Sequence, residues 1–199
     1  MDSTIIISAL LAFILGSVPF GLLLTRAAGL GDVRDIGSGS IGATNVLRTG
    51  NKGLAGATVL LDAAKGAVPV FIAAHIWPGT AGVAAVAAVA AVAGHCFTPW
   101  LKFRGGKGFA TAAGVLLALA WPVLLVCAAI WAVTLAVSRI SSVSSMVTVV
   151  AAPVAAWGMS YPQIIMPLIA VAAIVLVQHR ANIGRLLRGE EPAIGSKTQ

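Results

Sequence analysis

The stretch Phe109-Ala-Thr-Ala-Ala-Gly-Val-Leu-Leu-Ala-Leu-Ala-Trp-Pro-Val-Leu-Leu-Val-Cys-Ala-Ala-Ile-Trp-Ala-Val-Thr-Leu-Ala-Val137, closed by Ser138-Arg139, decides how this chain is folded. It is too long for one untilted membrane span of about 20 residues and too short for two comfortable ones. Trp121-Pro122 interrupts it near its middle, where proline removes a backbone donor and disturbs a helix. Read as one helix, the run carries Arg139 to the far side of a membrane. Read as two, it returns Arg139 to the side from which it set out.

The same question recurs in Ser142–Val177, with Gly158 and Tyr161-Pro162 at its break. Upstream lie three more apolar runs, Thr4–Leu24, Leu54–Ile76 and the shorter Thr80–Gly94. Splitting both long runs gives seven spans; splitting only the second gives six and puts Arg180, Arg185 and Arg188 opposite the Lys102–Lys107 loop. Splitting neither gives five, but Arg139 then faces outward and a helix of about 54 Å must carry three prolines. Charge placement separates these readings. Basic residues gather in Arg26–Lys52, Lys102–Lys107, Arg139 and Arg180–Lys197, whereas the gaps at Trp77–Gly79, Trp121–Pro122 and Gly158–Tyr161 carry none. Lys and Arg accumulate in cytoplasmic loops. The pattern therefore predicts an all-α integral membrane protein, a compact bundle of seven transmembrane helices with an external N-terminus and a cytosolic C-terminus. Five spans is the alternative.

Composition agrees. Hydrophobic residues make up 59% and charged residues 10% of the 199 residues, against about 45–50% and about 25% in soluble domains. No polar linker divides the chain, so residues 1–199 read as a single domain. The net charge of +7 sits in juxtamembrane loops, where it meets anionic lipid or an anionic substrate, and nucleic acid is not expected. Cys96 and Cys127 lack ligand spacing and read as buried thiols; neither a metal nor a cofactor is expected. Asp2 stands where a signal peptide carries basic residues, so the first segment reads as a retained helix. The run Ala81–Gly94 places small residues all round a helix and predicts close helix packing. Trp77, Trp100 and Trp121 fall at span ends, as interfacial anchors do.

Four charged regions carry the chemistry. In Gly37-Ser-Gly-Ser-Ile-Gly-Ala-Thr-Asn-Val-Leu-Arg-Thr-Gly-Asn-Lys52 the glycines let N–H groups converge, the hydroxyls donate, and Arg48 offers a planar fork to phosphate oxygens. The alternative is a flexible Gly/Ser connector, and no Walker motif is present. In His95-Cys-Phe-Thr-Pro-Trp-Leu-Lys-Phe-Arg-Gly-Gly-Lys-Gly108, Gly105, Gly106 and Gly108 surround Lys107 just before an apolar run, a second anion cradle to which Lys102 and Arg104 add charge. Lys102 and Arg104 also fit a purely topological role, snorkelling to the interface. In Ser138–Ser145 the serines either cap or back-bond the next helix, or Arg139, Ser141 and Ser142 join a phosphate pocket. In the tail, His179, Asn182 and Arg185 fall at i, i+3 and i+6, close to one helix face. Asp62 and Lys65, three residues apart inside the second run, either pair with each other or use Lys65 to draw anions inward; an unpaired charge there costs about 2.5–3.5 kcal/mol.

Three of these segments, Gly37–Arg48, Lys102–Gly108 and His179–Glu191, resemble in order and spacing the motifs of the bacterial acyl-phosphate:glycerol-3-phosphate acyltransferases, and the likeness runs over essentially the whole chain. Two departures are visible: Ser40 stands where the family usually has Asn, and Thr98-Pro99 shifts by one residue the proline that follows the motif's His. The resemblance implies acyl transfer from acyl phosphate to the sn-1 hydroxyl of glycerol 3-phosphate, giving lysophosphatidic acid and phosphate, the first step of phospholipid synthesis. It places Ser38, His179 and Asn182 among the catalytic residues. It sets Gly39, Thr44, Asn45 and Arg48 at the substrates, together with Lys102, Gly105, Gly106, Lys107, Gly108 and Arg185, and the reading of the residues themselves adds Lys65, Arg139, Ser141 and Ser142. It further implies the bacterial inner membrane, a cytosolic active site, contact with membrane lipid, and an upstream enzyme that makes acyl phosphate.

An acyl phosphate has a good leaving group, so the protein must chiefly orient two mutually repelling anions, and positioning supplies about 7–11 kcal/mol. Arg48, Lys107 and Arg185 would neutralise phosphates while the Gly37–Gly39 or Gly105–Gly108 amides steady the oxyanion. The base is either His179, held by Asn182, or a substrate phosphate with a second pKa near about 6, and the second route is preferred because a His among cations resists protonation. The competing class is a transporter or channel for a phosphorylated anion. That class calls for internal repeats or polar residues on both faces, and here the polar loops lie on one side.

Overall fold

The computed structural model describes residues 3–80 and 82–194; Asp2, Ala81 and Lys197, used above, lie outside them. Helix makes up 76% of the structure, and there is no strand among the described residues. The helices are α1 (Ser3–Gly16), α2 (Phe20–Ala27), α3 (Ala43–Leu47), α4 (Lys52–Ile76), α5 (Val83–Cys96), α6 (Phe109–Ser138), α7 (Ser141–Gly158), α8 (Ile165–Gln178) and α9 (Arg180–Leu187). The Thr4–Leu24 run is broken between α1 and α2 at Ser17–Pro19, where proline supplies no backbone donor and the Ser17 hydroxyl donates back to Ile14 O at 2.7 Å. Asn51 caps α4, its side chain accepting from the Leu54 N–H at 3.0 Å.

Among the described residues, five helical stretches suffice by length and apolarity to cross a membrane: Ser3–Ala27, Lys52–Ile76, Val83–Leu101, Phe109–Ser138 and Ser141–Gly158. Pro162–Gln178 and Arg180–Leu187, bent by 59° at their junction, raise this to six, against the seven expected. Helix α6, however, is not one straight rod. Ala120 has φ −163° and ψ 82°, two residues before Pro122. The rings of Phe109 and Trp131, each eleven positions from Ala120, stack with centroids 6.2 Å apart. A straight helix would separate them by about 33 Å. The chain thus runs out and back within α6. Its tip packs with Ala156 and Ile164, beside the uncharged break at Met159–Tyr161.

The small residues of α5 do what their pattern predicts. Ala87, Ala88 and Ala91 are fully buried, and a Cβ on Gly94 would overlap the Phe13 carbonyl of α1. Close backbone approach of this kind replaces the large apolar side chains of a soluble core. Its consequence for the site is that α1, α4 and α5 form a tight frame beneath the charged loops.

Candidate active site

The first loop is organised by one side chain. Asn45, buried in α3, lies within hydrogen-bonding distance of three carbonyls through Nδ2: Val33 (2.6 Å), Ser40 (2.8 Å) and Ile36 (3.1 Å). Its Oδ1 accepts from the Ser38 N–H at 3.1 Å and from Arg48 Nη1 at 3.4 Å. The loop therefore wraps around an amide that is fully used, and the Gly39 N–H is spent on Ile36 O. Asp32 anchors the loop's entrance, paired with Arg34 at 2.5 Å and Arg26 at 2.7 Å. The hydrogen bonds from Arg34 hold its carboxyl well below the usual range against some opposition from burial. Ser38 and Arg48 are left exposed at the loop's surface.

The second loop rests on the end of α5. The N–H of Gly105 donates to Cys96 O and that of Gly106 to His95 O, both at 3.1 Å. At both positions a Cβ would overlap His95, its carbonyl at Gly105 and its ring at Gly106. The N–H groups of Lys107 and Gly108 make no hydrogen bond among the described residues. Burial lowers the Lys107 ammonium to about 8; Glu191 opposes this, while Arg185 and Arg48 add to it. Lys107 is thus within electrostatic reach of all three, and His179 within reach of Lys107 and Glu191.

Glu191 is the hub. It accepts from Asn182 Nδ2 at 2.5 Å, Ser142 Oγ at 2.6 Å and Arg185 Nε at 2.7 Å. Burial pushes the Glu191 carboxyl up, but these three hydrogen bonds and the Arg185 charge outweigh it and hold the group below its ordinary value. The Ile194 N–H donates to Arg139 O at 2.7 Å, fastening the segment beyond Glu191 to the α6–α7 connection. His179 Nδ1 lies 2.7 Å from Val175 O; since a carbonyl only accepts, Nδ1 carries the proton there, and Nε2 stays available. The single oxygen of the Asn182 amide, Oδ1, is buried without a hydrogen-bond partner among the described residues.

The sequence profile of the glycerol-3-phosphate acyltransferase family matches residues 6–189. The chain belongs to that family. A glycerol-3-phosphate acyltransferase of Erythrobacter litoralis is 58% identical over 191 residues, covering 96% of this chain and 95% of the relative. One from Mesorhizobium japonicum is 54% identical over 197 residues, covering 99% and 100%. Among solved structures, PlsY, an integral membrane glycerol 3-phosphate acyltransferase, superposes in its glycerol 3-phosphate form with a TM-score of 0.91 at 33% identity, covering 98% of this chain and 96% of that one. Its lysophosphatidic acid form gives 0.89 at 32% identity over the same shares. The chain is an all-helical integral membrane protein.

Within this acyltransferase fold, Arg48, Lys107, His179 and Arg185 come together, and Ser142 and Asn182 join them through Glu191. Several expectations are corrected. The N–H groups of Gly105 and Gly106, expected to face an anion, donate to the end of α5 instead, and in this loop those of Lys107 and Gly108 have no hydrogen-bond partner among the described residues. Asn45 and Gly39 hold the loop rather than reach outward, their polar groups being spent. Asn182 does not hold His179; the Val175 carbonyl does. Lys65 does not reach the cluster: its Nζ sits 2.7 Å from Asp62 Oδ1 and donates to Val18 O at 2.7 Å, with the Phe20 ring 5.6 Å away. Lys102 and Thr44 are exposed. Arg139 contributes its carbonyl, and Ser141 offers its own to Ser145 Oγ, as Ser144 and Ser145 back-bond within α7 instead of capping it. Glu191 is the residue sequence reasoning passed over. Its signal was its place at the end of the His179–Glu191 segment, three residues after Arg188.

Proposed function

We propose that this chain transfers a fatty acyl group from acyl phosphate to the sn-1 hydroxyl of glycerol 3-phosphate at the cytosolic face of a bacterial inner membrane. The observation that carries this reading is the gathering of Arg48 and Arg185 within electrostatic reach of Lys107, which itself lies within reach of His179, together with an Asn182 Oδ1 that is buried without a hydrogen-bond partner among the described residues. Two phosphate-bearing substrates repel each other, and three cations offset that repulsion where they meet. The unpaired N–H groups of Lys107 and Gly108 face the same need, and Ser38 adds an exposed hydroxyl beside Arg48. Asn182 Oδ1 accepts a hydrogen bond from the glycerol hydroxyl, fixing its oxygen for attack on the acyl carbonyl. The C–O bond to phosphate breaks, and the hydroxyl proton passes to phosphate, giving lysophosphatidic acid and inorganic phosphate. The phosphate is the acceptor because a second positive charge on His179 beside Lys107 meets like-charge repulsion. His179, neutral and protonated at Nδ1, presents Nε2 as an acceptor and so helps to orient a substrate hydroxyl.

Purified protein given palmitoyl phosphate and labelled glycerol 3-phosphate is expected to form lysophosphatidic acid, and acyl-CoA is not expected to replace the donor. No product from the phosphate donor refutes the reading. We count the out-and-back path of α6 as two passes, which makes seven in a single domain, with the N-terminus outside and the C-terminus in the cytosol. On this reading Trp121 lies at the external end of α6 and Arg139 at its cytosolic end. Single cysteines at these positions in inverted and right-side-out vesicles test this: accessibility of Arg139→Cys from outside makes α6 a single pass and refutes the count of seven.

A further inference from the structure

His95 is a deeply enclosed titratable side chain that the reaction does not use. It is 3% exposed and lies at the end of α5, directly under the loop that carries Lys107. Two contacts tie it to that loop. Its carbonyl accepts from the Gly106 N–H at 3.1 Å, and the three atoms that a Cβ on Gly106 would meet first are all in its ring, Nε2, Cε1 and Cδ2. Below, the ring abuts the buried pair of α4: its Nδ1 is 3.8 Å from Asp62 Oδ1, which is 2.7 Å from Lys65 Nζ. Lys65 in turn donates to Val18 O, in the break between α1 and α2. An unbroken line of contacts thus runs from the α1–α2 break, through α4 and α5, to the residue next to Lys107.

We propose that His95, seated on the Asp62–Lys65 pair, is a positioning residue for Lys107: its ring is the floor that sets the height of Gly106 and hence the placement of the ammonium. The residue at position 106 must then be glycine because of His95, and not because of a ligand. Position 95 acts on substrate only through Lys107. This rests on Lys107 as a phosphate anchor, the reading given above.

The test is a pair of double-mutant cycles read as the Kd for glycerol 3-phosphate by titration calorimetry, alongside KM and kcat. Gly106→Ala alone raises Kd and KM about tenfold or more, the loss expected for a misplaced charged donor, and changes kcat less. His95→Ala combined with Gly106→Ala recovers most of that loss, because the methyl fills space the ring has left. In a Lys107→Ala background, neither Gly106→Ala nor His95→Ala weakens binding further. The proposal is overturned if the His95→Ala/Gly106→Ala protein binds no better than Gly106→Ala, or if either substitution keeps its full effect without Lys107. Should Gly106→Ala not fold alone, recovery of a folded detergent-solubilised protein by adding His95→Ala reports the same contact, and continued misfolding counts against it. Wild-type protein that binds glycerol 3-phosphate without turning it over refutes the proposed function while the Kd cycles still decide the role of His95. Absence of binding to wild type removes both.

Discussion

Lys107 makes the pH dependence of this enzyme specific. Its ammonium is lowered from the ordinary 10.5 to about 8, chiefly by burial, so the cation is complete below that value and lost as pH rises through it. On the proposed function, what titrates away is a charge-assisted hydrogen bond to substrate phosphate, worth about 1.5–3 kcal/mol, or roughly a 10- to 150-fold effect. Glycerol 3-phosphate is already a dianion above pH 7, since its second pKa is near about 6, so the substrate adds no titration on the alkaline side. The prediction is that kcat/KM for glycerol 3-phosphate declines on the alkaline side with a midpoint at about 8. The limb in kcat lies higher, because bound phosphate stabilises the ammonium. Initial rates of labelled glycerol 3-phosphate incorporation in mixed micelles from pH 6.5 to 9.5 measure this, with the acyl phosphate donor saturating at each point. Lys107→Arg, whose guanidinium keeps its charge throughout, loses the limb even where its absolute rate is lower. A wild-type profile flat to pH 9.5, or an unchanged limb in Lys107→Arg, refutes the reasoning.

Three further outcomes follow from particular contacts. Asn45→Ala strips hydrogen bonds from Val33, Ser40 and Ser38 and should destabilise the loop by about 1–3 kcal/mol per group left unsatisfied, read as rapid proteolysis between residues 33 and 45 together with a raised KM. Lys65→Met leaves Asp62 as a lone buried carboxylate and should cost about 3–5 kcal/mol, whereas adding Asp62→Asn returns most of the thermal stability; equal melting temperatures for the single and double variants would dismiss the pair. Glu191→Gln weakens the hold on Arg185, Asn182 and Ser142 at once, so kcat should fall about tenfold or more, while a wild-type kcat would show that the hub is dispensable.

The membrane class and the site's charged loops were legible because both rest on local signals: unbroken apolar runs, and lysines and arginines placed beside glycines. Trp121-Pro122 announced a break, and the chain turns at Ala120, two residues before the proline. The α5 repeat announced close packing, and Gly94 delivers it against Phe13. What escaped were relations between distant residues. Ser142 and Glu191 meet across 49 positions, and nothing near either one signals the other. The motif glycines at 105 and 106 looked like anion donors, because a glycine selected for close approach to His95 is indistinguishable in sequence from one selected for a free amide. Lys65 misled for a related reason: its charge was visible, but its carbonyl partner at Val18 comes from a helix break 47 residues away.

The central claim is that the cations of two separate loops, Arg48 and Lys107, act together on the substrate phosphates. It is tested most directly by acyl-phosphate-dependent formation of lysophosphatidic acid in the folded Arg48→Ala/Lys107→Ala protein, with wild type assayed in parallel. The account predicts that wild type turns over and the double variant loses activity beyond detection, because two charge-assisted contacts of about 1.5–3 kcal/mol each are removed from one transition state. Turnover near the wild-type rate in the double variant would contradict it and move the active site elsewhere.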